Sequence, residues 1–172
     1  MEDFSKVLPQ LFKIPFFSEF SIENEKDVAI LKMFYEHCNV QKFKKGDIII
    51  KEGDHGELCY ILYKGKIHIT RKTPAGDEIA IADLSSTEHI FFGETAIISN
   101  EARSATVASM TDDCTVIAIK GKDFIQMCNK EPVLGYKVLF FLAKSMAKTI
   151  QQLNRDKAAL YEALFNEIEG NQ

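Results

Sequence analysis

Phe92-Gly93-Glu94-Thr95-Ala96-Ile97-Ile98-Ser99-Asn100-Glu101-Ala102-Arg103-Ser104-Ala105-Thr106-Val107 is the stretch on which the reading of this chain turns. Gly93 lets a backbone come close to a ligand, and residues 94–100 can form one or two helical turns whose free N–H groups attract an anion. The guanidinium of Arg103 offers paired donors matched to phosphate oxygens, and Ser104 and Thr106 add hydroxyls. Glu94 can only accept, which suits sugar hydroxyls. A sugar acceptor beside phosphate donors points to a nucleotide. One competing reading stays open, in which Glu94 and Arg103 merely pair with each other inside a folded loop.

Around this stretch the pattern is that of a β domain. From Val40 the apolar period is two, in short runs at Asp47 to Lys51, Leu58 to Tyr63, Lys66 to Arg71, Glu78 to Leu84, Ala105 to Met110 and Thr115 to Ile119. Gly46, Gly53, Gly56, Gly65 and Gly76 punctuate the runs, at places where tight reversals call for positive φ. Evenly spaced strands of this kind close into an antiparallel barrel or sandwich. A cupin-like barrel is the generic alternative, and it lacks its metal-binding histidines here. The 172 residues, 46% hydrophobic, suffice for one domain with a real core, and the net charge of -4 with no basic run argues against a nucleic-acid or membrane binder. The four cysteines are widely spaced and read as reduced core thiols, and the four histidines show no metal-ligand spacing, so no metal or cofactor is expected. No apolar run is long enough to span a membrane and Met1-Glu2-Asp3-Phe4 does not read as the start of a signal peptide, so a cytoplasmic location is expected.

Gly-Glu-x-Ala followed by Arg-x-Ala-Thr resembles the phosphate-binding cassette of the cyclic-nucleotide-binding domain family. The Gly-Asp-Ile strand from Gly46, the Glu-Gly-Asp-His-Gly loop from Glu52 and the Lys-Gly turn at Gly65 match that family's glycine positions, so the likeness runs from about Phe43 onward. Two departures stand out: Ala102 replaces the usual Pro before the Arg, and Ser86-Thr87-Glu88-His89 replaces the usual Gly-Asp. The resemblance implies an α+β, mainly β, jelly-roll fold. It assigns the ribose 2'-hydroxyl to Glu94, the cyclic phosphate to Arg103 and backbone contacts to Gly93, Thr95 and Ala96, with Ser104, Ala105 and Thr106 completing the cassette. It also implies a base pocket at Ile69, Ile81 and Leu84, and a lid residue at Asn154; ordinary core or surface roles for these four compete equally. The ligand it implies is cyclic AMP in preference to cyclic GMP, with a different nucleotide as an alternative. The cassette holds gripping groups and no catalytic ones, so no enzyme is expected.

Three segments follow: a helical part at 1–39, with apolar stripes Phe4, Leu8, Leu11, Phe12 and Val28, Leu31, Phe34, Tyr35; the β part at 40–120; and helices at 121–172. Phe12, Phe16, Phe17 and Phe20 read as core. Between Val133 and Ile168 no proline occurs, and Leu139, Ala143, Met146, Ile150, Leu153, Lys157, Leu160 and Leu164 form a two-position heptad seam. So narrow a seam favours a parallel homodimer, with a helix folded back on the β part as the alternative. The family's transcription factors continue into a helix-turn-helix, which does not follow here, so an effector protein rather than DNA is the expected partner. A ligand-free dimerisation module is the runner-up.

Overall fold

The computed structural model describes residues 3–88, 90–94 and 101–169, the side chains of 167–169 excepted. Two helices open the chain, α1 (Phe4–Leu11) and α2 (Glu25–Glu36), with a 3-10 turn at Pro15–Phe17 between them. Asn24 caps α2 by accepting from the N–H groups of Lys26 and Asp27, which satisfies donors that a helix start leaves bare. Then come β1 (Asn39–Phe43), β2 (Ile48–Ile50), β3 (Leu58–Lys64), β4 (Lys66–Lys72), β5 (Glu78–Ser85), β6 (Phe91–Phe92), β7 (Thr106–Ser109) and β8 (Cys114–Lys120). Helices α3 (Gly121–Lys130) and α4 (Pro132–Glu169) follow, Pro132 standing at a helix start where its missing N–H costs nothing.

Among the described residues all strand pairs are antiparallel and form two four-stranded sheets, ordered β1-β8-β3-β6 and β2-β7-β4-β5. The fold is thus α+β, mainly β, a jelly-roll sandwich of two sheets rather than one continuous closed barrel. The first sheet is apolar on both faces. Tyr60, Leu62, Val116 and Ala118 point to a core shared with Ile50, Ile67 and Val107 of the second sheet. Their neighbours Cys59, Ile61, Ile117 and Ile119 point the other way, to a core shared with the helices. Strand β8 is accordingly buried from Cys114 to Ile119, a continuous apolar run where a half-exposed strand would alternate.

The helical core is rich in phenylalanine. Phe16, Phe17 and Phe20 are buried as expected, and Phe16 stacks on Phe91 at 4.0 Å while touching Phe124 of α3 and Phe141 of α4. Helix α2 buries Ile30, Leu31, Phe34 and Tyr35 and, unexpectedly, Asp27. That carboxylate accepts two hydrogen bonds from Lys137 Nζ, each 2.8 Å, and one from the Ser21 N–H. Val28, placed on the apolar stripe by periodicity, is only half-buried.

Two strands lie outside the runs read from sequence. β1 carries Gln41 and Lys42 at a sheet edge, where polar side chains are tolerated, and β6 is only two residues long. Of the five turn glycines, Gly46, Gly53, Gly65 and Gly76 have positive φ and Gly56 does not. The four cysteines are free thiols; three are buried and Cys128 is partly so. Among the described residues, no helix is long and apolar enough to cross a membrane.

Helix α4 runs unbroken for 38 residues, about 57 Å at 1.5 Å per residue. Its first turns bury Leu134, Val138 and Leu142, whereas every side chain from 143 to 166 is exposed. The seam at Leu139, Met146, Ile150, Leu153, Leu160 and Leu164 therefore lies open, with exposures of 46% to 66%. Among the described residues, the helix beyond Leu142 does not fold back on the sheets.

Candidate functional site

Arg103 is the anchor of the site. Its backbone is clamped by the turn after β2, since Gly53 N–H donates to the Arg103 carbonyl at 2.9 Å and Arg103 N–H donates to the Asp54 carbonyl at 2.9 Å. The side chain is 6% exposed, a degree of burial that a charge tolerates only when hydrogen-bonded. Nη1 donates to the Gly93 carbonyl at 2.9 Å, and Nη2 donates to the Leu58 carbonyl. Two glycines make room for it. A Cβ on Gly56 would lie 2.9 Å from both Nε and Nη2, and one on Gly93 would lie 3.2 Å from Nη1. Gly93 also has φ +75°, which favours glycine. The role of Gly56 is thus close approach rather than turn geometry, a distinction that spacing alone does not reveal.

Glu94 follows directly and is half-buried. Burial pushes the Cys59 thiol up to about 12; the positive charge of Arg103 pulls it down and the negative charge of Glu94 pushes it up. Both charges are therefore felt at the same point of β3. Thr106 accepts from the Glu52 N–H at 3.1 Å, Ala105 is half-buried and Ser104 is exposed. Thr95 and Ala96, with the short helix read over 94–100, lie outside the described residues beyond Glu94.

A pocket of about 160 Å³ opens beside the guanidinium, walled by Ile49, Ile50, His55, Gly56, Leu58 and Tyr60 together with Arg103. The sequence had not singled out Leu58 or Tyr60. Ile69 and Leu84 pack at the edge of the inter-sheet core, of which Tyr60 and Ile50 are members. Ile81 does not join them. The β4–β5 register steps from Ile69 opposite Ala82 to Thr70 opposite Ala80, and the skipped Ile81 is 55% exposed, as a bulged residue can be. Asn154 sits on the open part of α4.

The cyclic nucleotide-binding domain family matches over residues 40–131, and the chain belongs to that family. It is similar to the cGMP-dependent protein kinase 2 of Homo sapiens, at 38% identity over 88 residues, covering 51% of this chain and 11% of the kinase. It is also similar to the cAMP-activated global transcriptional regulator CRP of Pasteurella multocida, at 28% identity over 131 residues, covering 76% of this chain and 59% of that regulator. The catabolite activator protein of Thermus thermophilus shares the fold, with a TM-score of 0.68 at 20% identity over 83% of this chain and 63% of the other. The chain thus spans about a tenth of the kinase's length and 59% of the regulator's.

Proposed function

We propose that this chain is a cyclic-nucleotide receptor, taking cyclic AMP in preference to cyclic GMP and reporting occupancy to an effector protein through its C-terminal helices. The observation that carries the reading is the Arg103 guanidinium, buried beside a pocket and framed by Gly56 and Gly93, with Glu94 next to Gly93 in sequence. In this reading Arg103 grips the phosphate, Glu94 accepts from the ribose 2'-hydroxyl, and Gly93, Thr95, Ala96, Ser104, Ala105 and Thr106 complete the cradle. Ile69 and Leu84 face the base, whereas Ile81, turned to solvent, and Asn154, on the open part of α4, do not reach it within one chain. Relatives named for each nucleotide match, the cAMP-activated regulator at 28% identity over 76% of the chain and cGMP-dependent kinases at 38% over 51% and 33% over 70%, so titration with both cyclic AMP and cyclic GMP decides the preference.

Occupancy would be passed on through aromatic contacts. Phe91 lies two residues before Gly93 and stacks on Phe16, whose ring touches Phe141 of α4. A ligand that favours one position of the Gly93 loop therefore biases the seat of α4 by its differential affinity for the two arrangements. Residues 1–39 and 121–172 form the responding parts and residues 40–120 the receiving part. The open seam from Leu139 to Leu164 makes a parallel homodimer in the cytoplasm. The net charge of -4 supports a protein rather than a nucleic acid or a membrane as partner, and the gripping character of the cassette supports binding without catalysis.

Calorimetric titration of nucleotide-free protein tests the reading, with one-per-chain binding of cyclic AMP expected. Arg103→Ala should weaken that binding by about 2–4 kcal/mol; equal affinity would overturn the assignment. A ligand-free dimerisation module is the second reading. One observation favours it: both outer nitrogens of Arg103 already donate to main-chain carbonyls, as an internal strut would. Absence of binding by every cyclic mononucleotide would select it.

A further inference from the structure

Tyr60 occupies an unusual position for a tyrosine. It is 6% exposed, its ring stacks on Phe92 at 5.3 Å and 19°, and the two residues face each other across the β3–β6 pair. A phenylalanine would fill that space equally well. Buried tyrosine hydroxyls ordinarily find a partner, yet among the described residues this one makes no hydrogen bond. Nor is it sealed in, because no fully buried side-chain polar atom lacks a partner among those residues. The hydroxyl therefore reaches the pocket that Tyr60 walls together with Arg103, Ile49 and Ile50.

The chemistry at that point is narrow. Burial raises the phenol above its ordinary value, against the opposing charge of Arg103. The group is thus a neutral donor across the physiological range, beside a guanidinium and the aliphatic side chains of Ile49 and Ile50, in a pocket that Lys51, Asp54, His55 and Glu57 also line. A neutral O–H next to a fixed positive charge suits an anionic oxygen.

Resting on the receptor reading above, we propose that Tyr60 is a specificity-determining residue of the pocket, its hydroxyl donating a hydrogen bond to an exocyclic phosphate oxygen of the bound cyclic nucleotide. The contact would add to Arg103 a donor that recognises one of the two exocyclic oxygens, something a cation alone does less sharply.

The test compares the full chain with Tyr60→Phe, which removes one oxygen and leaves the ring on Phe92. Both are titrated with cyclic AMP and with the two phosphorothioate diastereomers, each carrying sulfur in place of one exocyclic oxygen. The variant should bind cyclic AMP about tenfold more weakly, at an unchanged melting temperature without ligand. The parent's discrimination between the diastereomers should shrink by a similar factor. Affinities unchanged within twofold overturn the proposal, as does a loss that is equal for all three ligands. A variant that melts lower while binding normally assigns the hydroxyl to packing and also overturns it. A parent that binds none of the three removes the receptor reading, and this contact with it; a parent that binds beside an unaltered Tyr60→Phe removes the contact alone.

Discussion

Both parts of α4 carry apolar side chains, and these meet opposite fates. In the first three turns Leu134, Val138 and Leu142 are at most 8% exposed, packed with Phe124, Phe16 and the outer face of the first sheet. Beyond them Met146, Ile150, Leu153 and Leu160 are each at least 55% exposed. A helix buries a stripe only where another element meets it. The contrast separates what the chain folds around from what it leaves available to others, and an apolar period alone does not tell the two apart.

The largest effect should come from the buried half. Leu134→Ala, at a site with no exposure, should cost about 3 kcal/mol in urea unfolding. A cost below about 1 kcal/mol would show that the first turns are not seated as described. Next is the charge that holds them. Lys137→Met leaves the Asp27 carboxylate buried with only the Ser21 N–H, and should cost about 2–3 kcal/mol. Two turns on, Lys144→Met removes an exposed pair with Glu19 and should cost less than about 1 kcal/mol. Equal costs would erase the distinction between the halves.

An alkaline titration sharpens the same boundary. The Cys59 thiol lies in the core that receives Leu134, and burial lifts it from 9.0 to about 12. The folded state therefore keeps a proton that the unfolded chain gives up. Stability is intact below pH 9 and should fall between pH 9 and 12 by up to about 1.4 kcal/mol per pH unit for this thiol. Cys59→Ala should flatten the slope. An equal slope in the variant would assign the loss to other groups.

The smallest effect on folding of a single chain should come from the open half. Leu153→Asp with Leu160→Asp should change dilute unfolding by no more than about 0.5 kcal/mol. Sedimentation of the same variant should read one chain where the parent reads two. A parent that sediments as one chain at micromolar concentration would break the proposed pairing.

How far the sequence carried depended on the kind of force at work. Glycines with positive φ and runs of period two are local signals, and strands β2, β3, β4, β5, β7 and β8 lie within one or two residues of those readings. The conjunction of Gly93 with Arg103 was legible because it is chemical. The Leu58 carbonyl, Tyr60 and the cradle at Gly56 were not, because they reach Arg103 only through sheet pairing and chain reversals that leave no local trace. Asp27 was hidden for the same reason: a carboxylate in the first turn of a helix reads as exposed until Lys137 arrives from 110 residues away. Ile81 shows the converse, a residue with the right period turned to solvent by one skipped position in the register.

The pairing of β1 with β8, Asn39 opposite Ala118 through Phe43 opposite Cys114, also governs how the chain meets the ribosome. Synthesis delivers the N-terminal helices and the first strand long before their partner exists. Until β8 and the start of α4 emerge, Phe16, Phe17 and Phe34 have only one another and the short β3–β6 pair to rest on, and the core lacks Ile117, Ile119, Phe124 and Leu134. Completion of this fold therefore waits on its last third, and a polypeptide stalled before Cys114 should be a substrate for the chaperones that guard apolar surface.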